Sequence, residues 1–276
     1  MATRRLGETL RLAGMLLPAA LVFLAFFIVP FGALLRVGAQ GVHGISGYWL
    51  ALADPRHLES LVATLVLSAL VTLATLLLGG VCGLFLGRHR FPGHALLVSI
   101  LTLPLAFPGV VVGFMIIMLA GRQGLVSEIS LALHGGRIVF AYSVWGLFLG
   151  YLYFSIPRVV LTVMAAAVTL DASLEEAARS LGAKPARVFL DVTLPALQPA
   201  LISAGALTFA TSMGAFGTAF TLATRINVLP MMIYTDFTLT TDLSAVAALS
   251  LLLGLVSWVV LSLARSAAGG GVAAAG

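Results

Sequence analysis

The feature that most constrains this chain is a set of six apolar runs, each close to the length of a membrane crossing. A helix needs about 20 apolar residues to span a hydrocarbon layer of roughly 30 Å. Because lipid cannot hydrogen-bond to backbone N–H and C=O groups, such runs have to be helical. Charged residues make up only 9% of the sequence, far below the roughly 25% of a soluble domain. The sequence therefore predicts an all-α membrane protein with six transmembrane helices, at residues 13–35, 61–86, 95–120, 138–156, 200–222 and 244–263.

The basic residues indicate how these helices are oriented. With six crossings both termini share a side, together with loop 88–94 and segment 158–199. Ten of the fifteen Lys and Arg residues fall on that side, and basic residues are enriched in cytoplasmic loops. We therefore expect both termini in the cytoplasm of a bacterial cell, with loops 41–55 and 225–242 outside. The charge of +5 is scattered over many loops, which favours contacts with lipid headgroups over binding to nucleic acid.

The most polar stretch lies between the fourth and fifth runs and reads LEEAARSLGAKPARVFLDVTLP, residues 174–195. Ser173 and Glu176 fit a capping box that would begin a short helix, and Gly182 fits the left-handed residue that ends one. A second short helix is predicted at residues 185–194, where a Leu-Pro pair would end it. A solvated loop does not need two helix-end signals and an apolar face. That face, expected to be buried, consists of Leu174, Ala177, Ala178 and Leu181.

The same stretch carries the pattern E-A-A, three residues, Gly, nine residues, an aliphatic residue, one residue, Leu-Pro. The matching residues are Glu176-Ala177-Ala178, Gly182, Val192 and Leu194-Pro195. This closely resembles the EAA loop of permease subunits from binding-protein-dependent ABC importers of the type I, MetI-like fold. The resemblance implies a five-helix core at residues 60–265, preceded by an additional helix within residues 1–40. The low-complexity tail at 266–276 is predicted to be disordered.

In that family the EAA helix is a coupling helix that docks on an ATP-hydrolysing subunit, so residues 171–195 are expected to form one. The sequence contains no G-x-x-x-x-G-K-[ST] motif, the common phosphate cradle of ATP-binding proteins. We therefore expect a non-catalytic subunit without a cofactor, with ATP and Mg bound by two partner ATP-binding cassette subunits. The residues assigned to coupling are Asp171, Ser173, Leu174, Glu175, Glu176, Ala177, Ala178, Leu181 and Gly182.

The resemblance also implies further partners and a class of solute. A second permease, of different sequence, and an external substrate-binding protein would complete the assembly. The phrases LPLAFPGVVVG and GAFGTAFTL are similar to the branch that imports polyamines, ferric ion, sulfate and phosphonates. We expect a polyamine or another small polar solute of this group.

The solute pathway is expected along small, polar and helix-breaking residues of the third and fifth runs. No Asp, Glu, Lys or Arg falls inside the six predicted segments, and Pro157 is expected to kink the fourth run and leave Arg158 at the cytoplasmic interface. Because ion-coupled carriers keep ionisable groups in the membrane, a stand-alone secondary transporter is only the alternative. Bulky residues at Gly214 or Gly217 are expected to block transport without loss of assembly, although small residues also serve helix packing. The pathway residues are Pro108, Thr211, Ser212, Gly214, Phe216, Gly217 and Thr218.

Overall fold

The computed structural model describes residues 14–40, 44, 46–222, 227–240 and 243–268. All regular secondary structure within these ranges is helical. The α-helices, numbered along the chain, are α1 Gly14–Ala39, α2 Ser46–Ala53, α3 Pro55–Arg88, α4 His94–Thr102, α5 Gly109–Ala120, α6 Leu125–His134, α7 Val144–Val168, α8 Ala172–Ser180, α9 Pro185–Met213, α10 Phe216–Leu222, α11 Leu229–Thr235 and α12 Leu243–Ala267.

Six of the helical segments are long and apolar enough to cross a membrane, which confirms the predicted number. They are α1, α3, α5 together with α6, α7, α9 and α12. The expected disordered tail at 266–276 begins later than predicted, because α12 continues to Ala267. Residues 1–13 and 269–276 lie outside the described residues, as do parts of the two loops expected outside the cell.

Two of the predicted crossings are interrupted. The third run divides at Phe107, which is extended (φ −92°, ψ 130°), so that α5 begins only at Gly109. Phe107 precedes a proline, and a residue in that position is disfavoured in the helical conformation. The fifth run stops at Gly214 and resumes as α10. Hydropathy counts apolar side chains and does not register such breaks, so the sequence predicted both runs as continuous.

The predicted second short helix, at residues 185–194, is not separate. Helix α9 begins at Pro185 and continues through Pro195 to Met213. A proline in a regular α-helix crowds the carbonyl four residues earlier, here that of Asp191. Asp191 lies in a π-helical turn, Phe189–Thr193, and the wider ring of such a turn relieves the crowding. The Leu-Pro pair therefore lies inside a membrane helix and does not end one.

Helices α3 and α7 pack closely through a stripe of glycines on α3. Gly79, Gly83 and Gly87 recur every fourth residue and so share one face. A Cβ atom at Gly83 would lie 2.7 Å from the carbonyl oxygen of Val160, and one at Gly87 would lie 2.7 Å from the Cβ of Ala167. Small residues allow this close approach where no hydrophobic effect drives helices together.

By its internal contacts the chain divides into two compact units, Met1–His57 with Ile233–Leu252 and Leu58–Met232 with Leu253–Gly276. In the first unit the Tyr48 hydroxyl donates to the Leu35 carbonyl at 2.7 Å. The second unit contains a core around the fully buried Leu147 and Tyr151. All of the residues assigned to coupling and to the pathway belong to the second unit.

Candidate functional site

Helix α8 forms the first half of the predicted coupling segment, but it begins earlier than the capping box implied. Its N-cap is Asp171, whose carboxylate accepts a hydrogen bond from the backbone N–H of Ser173 at 2.9 Å. That hydrogen bond holds the pKa of Asp171 below its ordinary range. The predicted pairing of Ser173 with Glu176 is wrong, because an aspartate two residues earlier satisfies the same kind of donor and adds negative charge at the positive helix end.

Gly182 ends the turn after α8 as predicted. Its φ is +82°, in the left-handed region that favours glycine. No heavy atom lies within 4 Å of the position that a Cβ would take there. Backbone conformation, rather than crowding, is therefore the reason for a glycine at this position in the chain as described.

Glu175 is the one buried residue of α8, and it joins this helix to two membrane helices. Arg88, the last residue of α3, binds both carboxylate oxygens, with Nη1 donating to Oε2 at 2.8 Å and Nη2 donating to Oε1. The hydroxyl of Thr193, in the π turn of α9, donates to Oε1 at 2.6 Å. Hydrogen bonding from Arg88, and secondarily from Thr193, holds the pKa of Glu175 below its ordinary range although burial opposes this. We call these three residues the clamp.

The apolar face of α8 is exposed, which corrects the expectation that the chain itself buries it. The fractional exposure is 57% at Leu174 and 89% at Leu181, while Ala177 is exposed and Ala178 is half-buried. Glu176 is exposed as well. Helix α8 therefore turns the Glu175 carboxylate toward the rest of the protein, while Leu174 and Leu181 face away from it. This is the reverse of an ordinary surface helix.

A second feature is a cavity of about 280 Å³ at the place where α5 and α10 begin. Thr211 of α9, and Gly217 and Thr218 of α10, are predicted pathway residues that line this cavity. Four others do not line it, namely Pro108, Ser212, Gly214 and Phe216. The wall is completed by the broken stretch before α5, by Phe154 and by Arg158.

Arg158 was missed as a residue of the cavity wall, and it lies within the length of a continuous helix α7. Helix α7 runs through Pro157 without a break, so that 14 residues precede Arg158 and 10 follow it between Val144 and Val168. At 1.5 Å per residue the nearer helix end is about 15 Å away. The half-buried side chain donates from Nη1 to the Thr211 hydroxyl at 2.9 Å. In the sequence, an arginine directly after a proline within a long apolar run was the signal that could have indicated this position. The run is too long for one straight crossing, and this favoured a kink at Pro157 instead.

Gly217 serves helix packing as well as the cavity wall. A Cβ atom at Gly217 would lie 3.0 Å from the backbone nitrogen of Val110, whereas the nearest atom at Gly214 would be 3.8 Å away. The start of α10 therefore lies directly against the start of α5, where Thr218 also donates to the Gly109 carbonyl at 3.0 Å. Bulky residues at Gly217 would displace α5, so the expectation that they leave assembly intact does not follow from this geometry.

The first unit contains a buried polar pair that the sequence did not predict. His57 is 6% exposed and Asp236 is 7% exposed. The imidazole Nε2 lies 3.0 Å from Asp236 Oδ2, and Nδ1 lies 2.7 Å from the Ala51 carbonyl oxygen. Both ring nitrogens thus have partners within one unit. In the described part of the chain no group of three His, Cys, Asp or Glu side chains is arranged to hold a metal ion.

Comparison with known proteins places these features in a family. Residues 79–268 match the family described as "Binding-protein-dependent transport system inner membrane component". The molybdenum transport system permease protein ModB of Escherichia coli is 37% identical over 190 residues, which is 67% of this chain and 82% of that protein. A 2-aminoethylphosphonate transport system permease protein, PhnU of Salmonella typhimurium, is 30% identical over 261 residues, covering 92% and 91% of the two chains. The chloroplastic sulfate permease 2 of Chlamydomonas reinhardtii is 36% identical over 191 residues, covering 69% of this chain and 50% of that one.

A solved structure shares the fold. A chain of a bacterial alginate ABC transporter superposes with a TM-score of 0.82 at 18% identity, covering 95% of each chain. Six membrane-crossing segments and a helix with the E-A-A pattern agree with this family. The family assignment excludes the alternative hypothesis of a stand-alone secondary transporter. The chain therefore belongs to the binding-protein-dependent transport system inner membrane components, as a multi-pass permease subunit of an ABC importer.

Proposed function

We propose that this subunit forms the membrane pathway of an ATP-driven importer for a tetrahedral oxyanion. The observation that carries the proposal is the chemistry shared by the solutes in the relatives' names, molybdenum, sulfate and 2-aminoethylphosphonate. In neutral water molybdenum is the oxyanion molybdate, so each solute has a tetrahedral centre whose oxygens share negative charge. Polyamines and ferric ion lack this group, and a wall that contains Arg158 would repel a cation. The relatives and the cavity thus support the sulfate and phosphonate part of the expected group over polyamines.

In this proposal α8 is the helix through which ATP hydrolysis moves the pathway. Its exposed leucines offer an apolar surface to a soluble partner, and contiguous exposed apolar surface commonly marks such contacts. A docking helix also has to transmit its movement to the membrane helices, and the clamp provides that connection. Through Glu175, α8 is bonded to the end of α3 and to the π turn of α9.

The remaining partners follow from this role. Two ATP-binding cassette subunits would bind ATP and Mg and receive α8 and its counterpart on a second permease. The first apolar run, LLPAALVFLAFFIVPF, favours a second permease of different sequence. An external substrate-binding protein would deliver the oxyanion, and closure of the ATPase pair would switch the pathway between outward- and inward-facing forms.

The test is uptake by the complete transporter in proteoliposomes, with both permeases, the ATPase pair and the binding protein. We expect uptake of molybdate, sulfate or 2-aminoethylphosphonate that needs Mg-ATP on the ATPase side and binding protein on the other. An ATPase variant without its P-loop lysine is the matched control and should abolish uptake. Import of spermidine or ferric ion with no uptake of the three oxyanions would contradict the proposed solute class.

We further predict that α8 lies in the cytoplasm. Single cysteines at Ser46 and Ser173, both exposed, would be introduced after Cys82→Ala and treated with a membrane-impermeant maleimide in intact cells. The bias of basic residues predicts labelling at residue 46 in intact cells and at residue 173 only after permeabilisation. The reverse pattern would invert the orientation and exclude α8 from contact with a cytoplasmic ATPase.

A further inference from the structure

We propose that Arg158 and Thr211 form a transient anion-binding site within the membrane pathway, which holds one tetrahedral oxyanion on its way through the permease. This inference rests on the proposed function and adds the residues that would recognise the solute. The charge of the cavity, its hydrogen-bond donors, the start of α5 and the size of the cavity support it.

Arg158 brings an uncompensated positive charge to the cavity wall. Among the residues that the structure describes, no carboxylate lies within ion-pair distance of Arg158. An arginine is always protonated in proteins, and an unpaired charge inside a membrane helix is costly unless a partner neutralises it. Arg158 is half-buried and opens on a cavity. An anion entering that cavity would supply the missing charge, which explains why such a costly residue is placed there.

Arg158 also brings a set of hydrogen-bond donors to the cavity. The guanidinium has five N–H groups, and in the described residues its one side-chain hydrogen bond goes to Thr211. The fork of remaining N–H groups matches the spacing of two oxygens on a sulfate, molybdate or phosphonate group. Thr211 holds the guanidinium from one side and is itself fixed by donating to the Leu207 carbonyl at 2.8 Å. The arginine is therefore oriented before the solute arrives.

A third contribution comes from the start of α5. This 12-residue helix begins at Gly109 in the cavity wall and has no side-chain cap. The first N–H groups of a helix lack internal partners and carry partial positive charge. Half-helices in membrane transporters point such ends at anionic solutes. Alone this helix end would not define a site, but here it shares one cavity with a cation.

Size and strength fit a site of passage. The cavity of about 280 Å³ lies below the range of roughly 300–1,000 Å³ for drug-sized ligands, which suits a small ion. One arginine, oriented by the Thr211 hydroxyl, binds an oxyanion more weakly than the many donors of a dedicated receptor. A conducting site has to release its ion as well as accept it, so weak binding is what a pathway requires.

The test measures oxyanion uptake by the complete transporter in proteoliposomes for three variants. Arg158→Gln removes the charge and should lower uptake of the transported oxyanion about ten- to hundredfold, as expected for the loss of hydrogen bonds to a charged group. Arg158→Lys keeps the charge but not the fork and should lose less than about tenfold. The exchange variant Arg158→Thr with Thr211→Arg returns a guanidinium to the same cavity and should recover part of the uptake. Co-purification of the ATPase should be unchanged in all three.

The controls separate this site from the proposed function. Arg137→Gln, at an exposed arginine bonded to the Arg122 carbonyl, should transport like the wild type. If the wild type takes up none of the three oxyanions, the proposed solute class is wrong and this site falls with it. If the wild type transports and Arg158→Gln transports equally well, the site alone is wrong. Loss of assembly by Arg158→Gln that the exchange variant does not restore would assign Arg158 to helix packing and overturn the proposal.

Discussion

Arg88→Gln and Glu175→Gln should each uncouple ATP hydrolysis from transport without preventing membrane insertion. Each substitution breaks charge-assisted hydrogen bonds that connect α8 to α3, and hydrogen bonds to charged groups contribute about 1.5–3 kcal/mol. This is too little to unfold six membrane helices, but it is enough to let α8 move without moving α3. We expect uptake to fall about tenfold or more, while ATP hydrolysis by the assembled complex continues.

Two further variants of this chain serve as controls for the clamp experiment. Arg90→Gln removes an exposed arginine two residues from Arg88 and should leave uptake unchanged. The double variant Arg88→Gln with Glu175→Gln should be no worse than the more severe single variant, because residues that share one interaction are not additive. Wild-type uptake per ATP in both single variants would show that the clamp does not carry the motion.

The lowered pKa of Glu175 gives the clamp a predictable pH dependence. Because the folded-state pKa is depressed, the ionised clamp is complete at neutral pH and is lost only as the pH falls through that lowered pKa. In Arg88→Gln the largest cause of the depression is removed, so the pKa of Glu175 should rise. The coupling that remains in that variant through the Thr193–Glu175 hydrogen bond should therefore decline at a higher pH than in the wild type, which a pH series of uptake per ATP would measure.

Gly182→Val should lose binding-protein-stimulated ATP hydrolysis, association with the ATPase, or both. With φ at +82°, a β-branched residue costs about 1–2 kcal/mol in backbone energy, and relief of that strain would tilt α8. The space around the missing Cβ is open, so a clash within this chain does not complicate the result. The measurements are ATP hydrolysis in proteoliposomes and co-purification of the ATPase.

Gly182→Asn is the matched control, since asparagine tolerates the left-handed region much better than valine. It should retain most of the stimulation if backbone conformation is what matters. If asparagine and valine are equally harmful, close approach of the partner is the cause, and the exposed Leu181 beside it marks that contact. If Gly182→Val binds the ATPase and transports at the wild-type rate, α8 is not the coupling helix.

The amino-acid sequence by itself determined the class of the protein and the left-handed turn that ends α8. Six long apolar runs require membrane helices because the backbone must be satisfied internally in lipid. The left-handed turn at Gly182 follows from neighbours in the chain. The E-A-A pattern indicated the family, which the comparisons then showed.

The tertiary structure decided where the charges act. Glu175 meets Arg88 from 87 residues away and Thr193 from 18 residues away. Pro195 favours the π turn that contains Thr193, but nothing in the sequence pairs that hydroxyl with Glu175. Arg158 meets Thr211 across 53 residues, because α7 and α9 pack side by side. Periodicity and capping describe interactions within a turn or two of helix. The clamp and the cavity depend on which helices lie side by side, and only packing of the whole chain determines that.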